Sequence, residues 1–133
     1  MKPWLFITLL VLSGGPACAE WVPLDPWYQS PGLQTVYVDP GTIRREGQIV
    51  TLWQLTDYRW KQGGMIGRRF QSSRTKKEFD CAIPRYRTRA FTDFSGHMGT
   101  GDARDGYVED DGWRPVDPES LNQGLWNMAC GKS

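Results

Sequence analysis

Three arginines at alternate positions, Arg85, Arg87 and Arg89, are the residues whose type and spacing promise the most chemistry. The side-chain period of an extended chain is two, so all three are expected to leave one face of a strand. Arg74 and Lys76 repeat the pattern on the stretch before it. Such a face holds fixed positive potential and forked donors, which suit sulfate, phosphate or carboxylate groups. The chemistry is anion recognition: a sulfated glycan, a lipid headgroup or a nucleic-acid phosphate. Set against this is a plain half-solvated sheet whose arginines pair with Glu78, Asp80 and an acidic stretch further on, the commoner arrangement on such faces.

Catalytic and metal chemistry find less support. His97 is the sole histidine. Ser95 and Asp102 are near it in sequence, but all three fall in one glycine-rich loop with no nucleophile elbow to orient them. The acids of residues 102–111 lack the alternating order of a calcium loop. Gly96, Gly99 and Gly101 are not followed by Lys-Ser/Thr and read as a tight bend, not a phosphate loop. No enzyme activity, metal or cofactor is expected.

Residues 1–19 read as an export signal. Lys2 opens it, residues 4–12 form an apolar run too short to span a bilayer, and Ala17-Cys18-Ala19 gives a small-x-small cleavage pattern. Cleavage is expected before Glu20, leaving residues 20–133 as a single domain with one modest core. Cys18 offers lipidation as a second outcome, although Gly15 stands where a lipobox carries a Leu-like residue. A membrane is then a partner only if Cys18 is lipidated. The expected location is the periplasm or the outer-membrane surface, where nucleic acid is the least relevant anion. With the signal removed, Cys81 and Cys130 remain. An even count, an oxidising compartment and no CxxC motif argue for one disulfide between them.

Charge is unevenly placed. Residues 59–89 carry ten Lys/Arg against Glu78 and Asp80, and residues 102–119 carry seven acids against Arg104 and Arg114. The two regions could attract within one chain or across a homodimer; a mixed, solvated surface is the simpler reading. The tryptophans are many for the size, with core packing their default role and Trp27 or Trp60 candidates for contact anchors.

The elements that must position these groups are mostly strands. Residues 21–24 read as an edge strand because of Pro23, residues 35–38 as a second strand, and residues 42–45 as a helical turn. Residues 49–58 form the clearest strand, with Val50, Leu52 and Gln54 on one face and Thr51, Trp53 and Leu55 on the other, so a central place is expected. In residues 70–81 the alternation puts Ser73, Thr75, Lys77, Phe79 and Cys81 opposite Arg74, Lys76, Glu78 and Asp80. In residues 85–94 it puts Tyr86, Thr88 and Ala90 opposite Arg85, Arg87, Arg89 and Phe91. A short strand is expected near Tyr107-Val108. A closing helix begins at Asp117-Pro118 or at Ser120, runs through Leu121, Leu125, Met128 and Ala129, and ends at Gly131. Gly124 weakens it by about 1 kcal/mol relative to Ala. The fold class is α+β: a small antiparallel sheet of about five to six strands, a C-terminal helix packed on it, and one disulfide.

The order of residues also carries a resemblance. Tyr37-Val38-Asp39, a Trp53-bearing strand ending at Asp57, Ser73, Phe79-Asp80-Cys81, Arg87, Phe94-Ser95-Gly96, Met98-Gly99-Thr100-Gly101, Trp113, Pro118-Glu119-Ser120 and Ala129-Cys130 follow one another from about Trp21 to Gly131. This resembles the surface-adhesin protein E family of Gram-negative bacteria. The resemblance implies the same sheet, helix and disulfide. It also implies kinship with an outer-membrane lipoprotein that binds host matrix and plasma proteins. The expected function is an exported, non-enzymatic binding module for matrix proteins or polyanions, at Arg74, Lys76, Arg85, Arg87 and Arg89. The alternative is a periplasmic inhibitor or envelope-maintenance protein presenting residues 95–105 to an enzyme.

Overall fold

β-branched and aromatic residues in alternation build three long strands, β4 (Ile49–Gln62), β5 (Phe70–Asp80) and β6 (Arg85–Phe94), which pair antiparallel in that order. The computed structural model describes residues 20–63 and 69–132; the expected export signal, residues 1–19 with Cys18, lies outside them. The strand β2 (Gln34–Val38) pairs with the middle of β4, and β1 (Val22–Pro23) covers its outer edge. The short β3 (Arg44–Glu46) folds back on the start of β4. Two more short strands, β7 (Ala103–Asp105) and β8 (Arg114–Pro115), share the far edge of β6.

Among the described residues the sheet thus has eight strands, somewhat more than the five or six expected. The additional ones are two or three residues long, too short for alternation to register. The helical turn expected at residues 42–45 is split: a 3-10 turn spans Pro40–Thr42, capped by Asp39, and Arg44 already belongs to β3. The strand expected near Tyr107-Val108 lies earlier, at Ala103–Asp105, where the Gly106 amide closes the pairing on the Phe91 carbonyl at 3.0 Å.

One helix, α1 (Leu121–Cys130), packs on one face of the sheet. Of its two candidate starts the later is used: Ser120 caps it, its Oγ accepting from the Gln123 amide at 3.2 Å. Gly131, left-handed at φ 70°, ends it. Ser120→Ala is expected to cost about 1 kcal/mol of stability, measured by urea unfolding. Gly124 has a packing reason: a Cβ there would lie 2.7 Å from two ring carbons of Tyr28. The helix former is given up so that the N-terminal segment can close against α1.

The core lies between α1 and the sheet. Val36, Val38, Val50, Leu52 and Phe79 from the strands meet Leu24, Leu125 and Ala129, all buried. Cys81 and Cys130 are disulfide-bonded, and the Trp126 indole donates to the Asp80 carbonyl at 2.8 Å, so the last turn of α1 is tied to the end of β5 twice. Lys77 shares the inward face with Phe79, as alternation requires, and is only 8% exposed. Its ammonium donates to Asn122 Oδ1 at 2.8 Å and lies 5.3 Å from the Tyr86 ring centroid. Burial pushes its pKa down to about 8.

The expected facing of β6 needs one correction. Lys77 pairs with Thr88 but Lys76 pairs with Ala90, so Arg89 is an extra residue in a bulge. Beyond it the alternation is inverted. Ala90 joins the face of Arg85 and Arg87, while Phe91, opposite Thr75, joins the inward side. Periodicity cannot reveal a bulge whose extra residue has the same character as its neighbours.

Candidate functional site

The sheet face opposite α1 is built from Thr51, Trp53 and Leu55 of β4, Arg74, Lys76, Glu78 and Asp80 of β5, and Arg85, Arg87 and Ala90 of β6. Its two ends are closed by different chemistry. At one end the loop after β6 folds over Leu55. Asp57 accepts from the Met98 amide at 2.9 Å and contacts His97 Nδ1 at 3.1 Å. Ser72 accepts from the Gly99 amide at 2.9 Å and donates to the Gly96 carbonyl at 2.7 Å. Gly99, at φ 72°, brings the loop down onto Leu55 and Phe94.

At the other end the arginines are held by their own neighbours. Arg85 Nε pairs with Asp80 Oδ2 at 2.9 Å, and Arg87 Nε with Glu78 Oε1 at 2.7 Å. Both guanidinium groups stack over the Trp113 ring, at 4.7 and 4.4 Å from its centroid. Burial works against the Asp80 charge, but the Ala82 and Ile83 amides and Arg85 outweigh it and hold the carboxyl below its usual range. Arg89, displaced by the bulge, reaches Asp111 at 3.5 Å.

Between these ends the face is open. Arg74 is exposed, its guanidinium 4.9 Å from the Trp53 ring centroid and 5.9 Å from that of Phe94. Lys76 stands between Trp53 and Ala90 in the cross-strand register. Neither cation has a carboxylate partner among the described residues. Further along the sheet, at the pairing of β3 with β4, lies a depression of about 310 Å³ lined by Arg44, Arg45, Glu46, Ile49, Thr51 and Glu78. A guanidinium held against rings keeps its charge and presents a fixed fork, an arrangement suited to carboxylate or sulfate.

The structure therefore divides the five basic residues. Arg74 and Lys76 are adjacent and uncommitted, Arg85 and Arg87 are together but ion-paired, and Arg89 stands apart. The aromatic partners Trp53, Phe94 and Trp113 were not readable as such, because stacking depends on cross-strand register, though alternation does put Trp53 on this face. His97, Ser95 and Asp102 do not converge. His97 turns to Asp57, and Ser95 Oγ accepts from the Asp102 amide at 2.9 Å. The acidic stretch is spent locally: Asp105 accepts from Thr92 at 2.7 Å and Asp110 pairs with Arg114 at 2.8 Å. Among the described residues no group of three or more potential ligands is placed to hold a metal ion.

Comparison with known structures places this architecture. Haemophilus influenzae protein E is similar at a TM-score of 0.61 and 15% identity, over 84% of this chain and 93% of that one. Its second crystal form gives 0.63 and 16%, over 83% and 96%. Protein E from a non-typeable strain gives 0.56 and 14%, over 86% and 78%. At these identities the likeness speaks for the fold. No curated protein matches the chain by sequence. The family model of surface-adhesin protein E matches residues 21–131, nearly the whole described chain. On that match the chain belongs to the surface-adhesin protein E family.

Proposed function

We propose that the chain is an exported, non-enzymatic binding module that holds an acidic or sulfated extracellular partner on the open sheet face, at Arg74 and Lys76 beside Trp53. The observation that supports it best is the contrast on that face. Arg85 and Arg87 are matched there by carboxylates, and Arg74 and Lys76, in the uncovered middle, are not matched among the described residues. Membership of an adhesin family favours surface binding over the inhibitor reading. In this reading residues 1–19 are the export signal and residues 20–133 the working domain, acting at the cell envelope. No helix among the described residues is long and apolar enough to cross a membrane.

The test is binding of the oxidised chain to immobilised heparin and to matrix proteins. Arg74→Ala with Lys76→Ala is expected to weaken retention about tenfold or more, and raised salt to weaken the wild type in the same way. Arg85→Ala, which strips Asp80 of its partner, is expected to act mainly on stability. Binding that is insensitive to both salt and the Arg74/Lys76 pair would defeat the proposal.

A further inference from the structure

Between Asp57 and Gln62 the pairing of β4 with β5 slips, and β4 residues 58–61 stand against the single Gln71. This enlarged bulge is pinned from both sides. Gln71, buried at 7% exposure, donates its side-chain amide to the carbonyls of Tyr58 at 2.9 Å and Arg59 at 3.2 Å. From the other side the Arg59 amide donates to the Leu33 carbonyl at 2.9 Å. A buried side chain used to hold backbone carbonyls fixes the direction of the residues that leave the bulge.

Those residues are Arg59, Trp60 and Lys61, all exposed. Trp60 is 63% exposed, and Leu33, just before β2 in the adjacent segment, 64%. The Arg59 guanidinium lies 5.4 Å from the Trp60 ring centroid, and the Lys61 ammonium reaches the Ser95 carbonyl at 3.4 Å. The nearest carboxylate on β4, Asp57, is turned to His97 and Met98. Among the described residues, two apolar groups on pinned backbone, flanked by two cations, form too small a patch for a stable protein interface, which needs about 1,000 Å². The same composition suits a membrane–water boundary, where a tryptophan ring sits at headgroup level and basic side chains reach the phosphates. We propose that this rim of the sheet docks reversibly on an anionic lipid surface. Such docking is independent of any lipid on Cys18.

The test is co-sedimentation of the exported chain, made as Cys18→Ser so that no lipid is attached, with vesicles of phosphatidylcholine alone or mixed with phosphatidylglycerol. Retention is expected on the anionic vesicles only. Trp60→Ala should lower it about tenfold, and Arg59→Gln with Lys61→Gln roughly 20-fold, from the usual attraction of each basic residue to an anionic leaflet. Arg44→Gln with Arg45→Gln, an equal charge loss at β3, should lower it less than fivefold. Unchanged thermal midpoints verify folding of each variant. Absence of retention, or losses no larger than at the β3 pair, would overturn the proposal. So would capture of an acidic protein through Trp60 without vesicle binding.

Discussion

Replacing both Cys81 and Cys130 by alanine is expected to lower the stability of the folded chain by about 4 kcal/mol. The two cysteines are 49 residues apart in sequence, and closing a loop of that length removes this much unfolded-chain entropy in the loop-closure account. The structural consequence is local. α1 has ten residues, too few to be helical alone, and it covers Val50, Leu52 and Phe79. Without the bridge, its attachment rests on the Trp126 indole, the Lys77–Asn122 and Asn127–Tyr28 hydrogen bonds and apolar contact. Urea unfolding of the oxidised wild type and the double variant measures the difference. A loss below 1 kcal/mol would mean that the helix docks without the staple.

Lys77→Met is expected to move stability the other way, by about 2–3 kcal/mol at pH 7. In the unfolded chain the lysine titrates near 10.5; in the folded chain burial brings it to about 8. Between these values the unfolded state holds a proton that the folded state lacks. Stability therefore rises as pH rises from about 8 to about 10.5, and below 8 the full penalty of about 3 kcal/mol is present. Methionine keeps the contact with the Tyr86 ring and removes the charge, leaving Asn122, which is half-buried, without its ammonium donor. Thermal or urea unfolding from pH 7 to pH 10.5 should show an alkaline rise in the wild type and none in the variant. A destabilised Lys77→Met chain would show that the ammonium holds α1 in place. The same inward face buries Gln54, whose Oε1 has no hydrogen-bond partner among the described residues, so this half of the interior tolerates two polar costs.

The fold was legible wherever alternation is long. β4 and β5 could be read with their faces, and β6 as far as Thr88, because each has ten or more residues and a sustained period of two. The disulfide followed from compartment and count, and Ser120 and Gly131 marked the helix. Legibility failed where structure depends on register. The Arg89 bulge breaks an apparent row of three arginines, and the Tyr58–Lys61 bulge turns the end of a strand into a display. Neither changes the character of the residues it contains. The candidate site was half readable: the basic residues stand out by type. Which are free is decided by cross-strand neighbours, Glu78 beside Arg87 and Asp80 beside Arg85, against Trp53 and Ala90 beside Lys76. Trp113 comes from β8's flank, far along the chain, and no local signal ties it to Arg85 and Arg87.

The central claim is that the open sheet face is the contact surface. Residue-resolved NMR of the oxidised chain, titrated with a short heparin oligosaccharide, tests it most directly. Amide and side-chain shifts are expected to concentrate at Trp53, Arg74, Lys76 and Ala90, with little change at Trp113 or on α1. Shifts confined to residues 95–105, or scattered evenly over Arg44, Arg104 and Lys132, would contradict it.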